Sequence, residues 1–302
     1  MTPVRYATAA AFKQALETRL RSASSSGTDF ARRRQLLVFQ RLLARITVEF
    51  GDAVTLKGGL VVELRVDRAR TTKDVDLRLV GSPVDLLERL QRAAQLELGD
   101  FMRFEIVAHG EHPEIANEGM VYEGRRYRVA CSVAGKPYGQ PFGLDIGFAD
   151  PIFGEPDVVQ AEDVLGFAGI PPGSLRLYPL ETHVAEKLHA YTLPRKRPNS
   201  RVKDLPDIAL LASVREIALD DLQHALRQTF AARKTHELPR SLPSPPSAWV
   251  APYARMAFDD ELRWPDMPTL VRAVGDFLDP ALSGAGAPIW RPSEWCWGVM
   301  VP

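Results

Sequence analysis

Apolar and polar positions along the 302-residue chain fall into three successive regimes. The first fifty positions repeat at the helical period. Residues 8–22 predict a short amphipathic helix closed by the Ser/Gly-rich Ser22–Gly27, and a longer helix runs from an N-cap at Asp29 to about Phe50. Leu36, Leu37, Leu43, Ile46 and Phe50 supply its apolar side. From there to about residue 180 a period of two dominates. Val75, Leu77 and Leu79 alternate with Asp74, Asp76 and Arg78; Met102–Ala108 alternates too, and Gly143–Phe148 reads as a further strand. Met120–Tyr122, a turn at Glu123-Gly124 and Arg126–Val133 predict a β-hairpin. Leu60–Arg65 fits a helix or a strand, Pro83 opens a helix to about Leu98, and Pro151–Pro179 is punctuated by proline and glycine. Beyond Leu180 the signals are helical, over Glu181–Thr192, Pro206–Ser213, Leu219–Ala232, Tyr253–Leu262 and Thr269–Leu278. A Pro-rich connector, Leu238–Pro252, reads as extended, and the tail after Gly284 carries Trp290, Trp295 and Trp297, aromatics expected to dock on the body. No internal repeat is visible. The expectation is a mixed α+β chain: helices over 1–50, a sheet core over 51–180 and a helical domain over 181–302.

Composition changes that picture little. With 38 basic and 38 acidic residues the net charge is zero, so nucleic-acid binding would need a local basic patch. The two cysteines, Cys131 and Cys296, lack metal-type spacing; Cys131 alternates with Val129 and Val133 and is expected to be a buried strand thiol. No apolar signal core or membrane-length run is present, so a cytoplasmic protein is expected. Arg32-Arg33-Arg34 fits a solvated helix face.

Candidate chemistry concentrates in LKGGLVVELRVDRARTTKDVDLRL, residues 56–79. The strand period places the Asp74 and Asp76 carboxylates on one face, roughly 6–7 Å apart. At that range two anions repel by about 3 kcal/mol at an effective dielectric near 20. A divalent cation relieves the repulsion, and Mg²⁺ is held by one or two carboxylates plus substrate phosphates, which points to nucleotide chemistry. In GFGLDIGFAD, Asp145 lies between Gly143 and Gly147 on the less bulky strand face; it either adds a third metal carboxylate or pairs with Arg126 or Arg128. Lys187 shares a helix face with Val184 and Tyr191, so its ammonium either snorkels or enters a cleft as a phosphate-binding charge. His189 projects elsewhere and reads as a surface or packing histidine. Asp204 and Asp207 fit an N-cap and capping box around Pro206. Arg195, Lys196, Arg197, Arg201 and Lys203 form a basic loop, either solubilising or touching phosphates.

Taken together, Leu56-Lys57-Gly58-Gly59, the Arg70-x-Thr72-Lys73-Asp74-Val75-Asp76-Leu77 run, Glu186-Lys187-Leu188-His189 and Arg201-x-Lys203-Asp204-Leu205-x-Asp207 resemble the AbiEii/AbiGii-type nucleotidyltransferase toxins of the DNA polymerase β-like superfamily. The likeness spans roughly Leu56–Leu211. It implies a nucleotidyltransferase sheet core and an Mg²⁺-dependent toxin of a toxin–antitoxin or phage-defence system. Such a toxin transfers nucleotides from an NTP to RNA, with the tRNA 3′ end as acceptor, and answers to a cognate antitoxin. Position by position, Asp74, Asp76, Lys187 and Asp204 would be catalytic; Lys57, Gly58, Gly59, Arg70, Thr72 and Lys187 would bind the nucleotide; Asp74, Asp76 and Asp145 would face the metal. Gly59 stands where many superfamily members have serine, and the gap from Gly59 to Asp74 is long for the pattern. Competing readings are transfer to a small molecule or protein side chain, and a non-catalytic nucleotide-binding module.

Overall fold

A computed structural model describes residues 5–66, 71–82, 84–111, 114, 124–148, 150–195, 199 and 201–299. Two helices come first, α1 (Ala9–Ser22) and α2 (Gly27–Phe50). The cap of α2 is Ser26 rather than Asp29: the Ser26 hydroxyl accepts the Asp29 N–H at 3.1 Å, and Asp29 in turn accepts the Ser25 N–H at 2.9 Å. Both residue types cap well, and the one that starts the helix is the one followed three positions later by an acid. The arginine triplet does not face open solvent. Arg32 reaches Glu63 at 2.8 Å and Arg34 reaches Glu17 of α1 at 3.9 Å, so these two tie α2 to its surroundings, while Arg33 pairs within α2 with Asp29 at 3.1 Å.

The central sheet follows: β1 (Val54–Lys57), β2 (Val75–Leu79), β3 (Met102–Ala108), β4 (Gly124–Val133), β5 (Lys136–Pro137), β6 (Phe142–Gly147), β7 (Asp157–Gln160) and β8 (Ser174–Leu177). Its order is β3-β4-β6-β2-β1-β8-β7, with β5 paired to β4. Pairs β2–β6 and β1–β8 are parallel and the rest antiparallel, so the sheet is mixed. Helices α3 (Gly59–Arg65) and α4 (Leu86–Ala94) are inserted between strands. The expected strand over Arg126–Val133 is present, but its partners are β3, β6 and the short β5; residues 120–122, the other half of the expected hairpin, and Pro83 lie outside the described residues. Strands β7 and β8 fall inside the stretch where proline and glycine gave no element. β7 is an edge strand with a half-exposed face, Val158 being 59% exposed, so it lacks the apolar alternation that betrays a strand.

The remaining helices are α5 (Leu180–Thr192), α6 (Asp204–Ala212), α7 (Leu219–Arg233), α8 (Val250–Asp259) and α9 (Met267–Ser283), with a small sheet of β9 (Ile217–Ala218), β10 (Ile289–Arg291) and β11 (Cys296–Gly298). The tail docks as expected: Trp290 is fully buried, and its indole N–H donates to the Ala212 carbonyl at 2.7 Å. Buried apolar side chains form two clusters. One joins α1, α2 and α4 to the sheet; the other joins α5–α9 and the tryptophans, with Val62 of α3 reaching into it. Cys131 is buried in the first, and desolvation pushes its thiol up to about 12.

Helix α2 is fixed to the start of β3 by a buried charge cluster absent from any motif. Asp100 takes Arg45 through two hydrogen bonds, 2.6 and 2.8 Å, and Arg41 at 2.6 Å. Burial alone would raise the Asp100 pKa, but the two guanidiniums hold it below the ordinary carboxylate range. Removing one side of such a cluster strands the other charges. Asp100→Asn should therefore lower unfolding free energy by about 3 kcal/mol, read by chemical denaturation. Because the native pKa is depressed, this stability is full above the ordinary carboxylate value and fades as pH falls through the lowered one. A variant that unfolds at the wild-type denaturant midpoint would refute it.

Candidate active site

Strand register alone assembles the first wall of the site. Lys57 on β1 stands opposite Asp76 on β2, Asp76 opposite Asp145 on β6, and Asp145 opposite Arg126 on β4. Four strands thus carry one row of charge in the order plus, minus, minus, plus. Asp145 accepts two hydrogen bonds from the Arg126 guanidinium, at 2.9 and 2.8 Å. Asp74, one residue before β2, accepts the Gly143 N–H at 3.2 Å. Gly143 therefore makes room for Asp74 rather than for Asp145: a Cβ there would lie 2.7 Å from Asp74 Oδ1. Thr72 is buried, donating its N–H to Glu63 at 3.0 Å and its hydroxyl to the Asp74 carbonyl at 3.4 Å, so it shapes the approach to Asp74.

Gly58 joins β1 to α3 with φ +72°, a backbone state that disfavours side chains. A Cβ at Gly58 would sit 2.0 Å from Asp76 Oδ2. The small residue is first a seat for the carboxylate. Desolvation raises the Asp76 pKa; Lys57 and Lys187 oppose the shift, Asp145 and Asp74 reinforce it, and the net direction is upward.

The second wall comes from α5 and α6. Lys187 Nζ lies 2.7 Å from Asp207 Oδ2 and 3.2 Å from Asp204 Oδ1. This overturns the capping reading of those two aspartates. Lys203 occupies the N-cap without a side-chain bond, while the carboxylates turn inward to the lysine. A buried ammonium outbids helix-end N–H groups for a carboxylate because both partners are charged. Asp204 Oδ2 is buried without a hydrogen-bond partner. Lys187 therefore neither snorkels nor stands alone: it enters the site on a carboxylate clamp.

Beneath both walls runs a network that the motifs did not disclose. Lys57 donates to Asp150, which also takes Arg233 at 2.7 Å; Arg233 reaches Glu186 at 2.7 Å. Burial would raise Asp150, but Lys57 and Arg233 hold it low; Lys57 is desolvated yet remains a cation because of Asp150. Glu186 is pushed up by burial despite Arg233. Asp150 and Arg233 are 83 residues apart and no local pattern joins them. His189 is a packing histidine, buried against Phe230 and bonded to the Thr235 hydroxyl at 2.7 Å, with burial lowering it to about 4.

Lys57, Gly58, Gly59, Thr72, Asp74, Asp76, Asp145, Lys187 and Asp204 all line one cleft of about 460 Å³. Arg201 and Lys203 of the basic loop border it as well. Arg70, Lys196 and Arg197 lie outside the described residues. Among the described residues no three His, Cys, Asp or Glu side chains form a group able to hold a metal by themselves, and no helix is long and apolar enough to cross a membrane.

A mixed sheet presenting two carboxylates to a cleft with a lysine-bearing helix opposite suits the transfer of a nucleotide. The model of one family, described as nucleotidyl transferase AbiEii toxin, type IV toxin–antitoxin system, matches residues 41–277, and the chain belongs to that family. It is a nucleotidyltransferase toxin, and membership implies an NTP substrate and a cognate antitoxin. No curated protein sequence matches the chain. Among solved structures it is similar to MenT4, a nucleotidyltransferase toxin from Mycobacterium tuberculosis, at 16% identity and TM-score 0.51, covering 90% of this chain and 98% of that one. A second similar structure is JHP933 from Helicobacter pylori, at 17% identity and TM-score 0.41, over 81% of this chain and 94% of that one. MenT4 corroborates the fold.

Proposed function

We propose that this toxin moves a nucleotide from an NTP to an RNA acceptor, the ribose hydroxyl at the 3′ end of tRNA, in an Mg²⁺-dependent reaction that blocks translation. The observation that carries the reading is the charge row Lys57–Asp76–Asp145–Arg126 facing the Lys187 clamp across one cleft. The donor chemistry fits Mg²⁺. Asp74 and Asp76 offer hard oxygens, a cation would relieve the burial and the neighbouring carboxylates that raise Asp76, and two protein carboxylates suit an ion completed by substrate phosphates. When bound, Mg²⁺ supplies charge neutralisation at the triphosphate.

The chain's own residues do the rest. Asp74 and Asp76 would hold the ion, with Asp145, bonded to Arg126, a third carboxylate beside them. Gly58 and Gly59 bring the backbone close to the phosphates, next to Lys57. Lys187, oriented by Asp204 and Asp207, offsets charge on the departing pyrophosphate. Asp76 or Asp145 orients the attacking hydroxyl. The test is incubation with each α-labelled NTP and total tRNA, with and without Mg²⁺. Label should enter tRNA-sized RNA only with Mg²⁺. Label confined to a polypeptide or a small molecule would overturn the acceptor assignment.

A further inference from the structure

We infer that the acceptor RNA reaches the carboxylates across the open face of β3, β4 and β6, and that Arg128 grips a phosphate close to its reacting end. The inference rests on the proposed transfer to RNA and adds the route of the acceptor. Alternation defines the face. β4 buries Tyr127, Val129, Cys131 and Val133, which leaves Arg126, Arg128, Ala130 and Ser132 on the other side. The outward residues of β3 are exposed, and Val107, directly opposite Arg128, is 44% exposed. Gly143, Ala130 and Ser132 keep this surface shallow enough for a chain to lie on it.

Register then places Arg128 beside the chemistry. It stands opposite Gly143, whose N–H holds Asp74. Arg126, two positions away and about 7 Å along the strand, belongs to the row of Asp145 and Asp76. Lack of a partner separates Arg128 from the cations fixed in the two walls. Lys57, Arg126, Lys187 and Arg233 are each matched to carboxylates. Arg128 is exposed and has no side-chain hydrogen bond or ion pair among the described residues. It is an uncompensated cation one row from the reacting pair, free to meet an anion without breaking an existing contact.

The track is short. Farther along the same face Arg103 and Glu105 carry opposite charges, so the uncompensated positive field stops near Arg128. That pattern fits one phosphate near the end of a strand, not a long duplex.

Because Arg128 supports nothing else, Arg128→Ala should fold and melt like the wild type. With total tRNA as acceptor its KM for tRNA should rise about tenfold while its KM for NTP stays put. In direct binding of labelled total tRNA, the slope of log affinity against log salt should shrink by about 0.7, the value for one single-strand phosphate contact. Arg128→Lys should recover part of both. Unchanged tRNA KM and salt slope would overturn the inference. So would loss of antitoxin binding with tRNA behaviour intact, which would make the face a protein interface. If the wild type labels no RNA yet binds tRNA with an Arg128-dependent slope, the transfer reading fails and the track stands. If the wild type labels tRNA and neither the KM for tRNA nor the slope depends on Arg128, the transfer reading stands and the track falls.

Discussion

Asp76→Asn should abolish nucleotide incorporation, by at least about 10³-fold or roughly 4 kcal/mol of barrier, while leaving the protein as stable as the wild type or slightly more so. The two halves of this result come from one cause. Asp76 sits where desolvation and its neighbours Asp145 and Asp74 disfavour the anion, and Lys57 and Lys187 do not fully offset them. An acid whose native pKa is raised binds its proton more tightly folded than unfolded. The sign follows: that contribution to stability is full below the ordinary carboxylate value and is lost as pH rises through the raised one. The ionised form of Asp76 is therefore a stability burden, retained for chemistry, and an uncharged isostere relieves it. Incorporation moves the opposite way, since only the anion serves the metal. Labelling assays and chemical denaturation on the same preparations check both halves. Full labelling by the asparagine variant would remove Asp76 from the catalytic set, and a large loss of stability would contradict its raised pKa.

How far the sequence discloses this site depends on the range of the interactions that build it. Asp74 and Asp76 are legible because a period of two fixes which side chains share a face. Lys187 is legible as a lysine on an apolar helix face. Its partners are not, because Asp204 and Asp207 satisfy a local rule for capping equally well, and only the position of α5 against α6 decides between cap and clamp. Asp100, Asp150 and Arg233 are silent for the same reason: each is an ordinary residue in its own segment and acquires meaning from a contact tens of residues away. The helical segments at both ends are read well, with boundaries shifted by a few residues, since amphipathic periodicity is local. Edge strand β7 escapes because it has too little buried face to leave a pattern. The glycines show a third case. Gly58, Gly59 and Gly143 stand out in the sequence as small residues near a site, but whether the space serves a ligand or a neighbouring side chain is a matter of distance. At Gly58 and Gly143 the neighbours are the carboxylates themselves.

Gly58→Ala consequently tests the architecture more sharply than a carboxylate substitution does. Its Cβ would meet Asp76 Oδ2 at 2.0 Å, Cγ at 2.7 Å and Cβ at 2.9 Å, so the functional side chain must move. A displacement of about 1 Å at a reacting group is enough for a loss near 10²-fold, and incorporation should fall at least that far. The backbone adds its own penalty: φ +72° with ψ −157° suits glycine alone, and alanine there costs about 1–3 kcal/mol. Gly51 separates the two effects. It closes α2 with φ 56° and ψ −137°, a similar backbone state, but nothing lies within 4 Å of the Cβ it would gain. Gly51→Ala should share the loss of stability and keep full incorporation. Equal activity losses in the two variants would mean that backbone strain alone explains Gly58. Loss in Gly58→Ala alone would show that the turn is shaped around Asp76, since that contact is the feature the two glycines do not share.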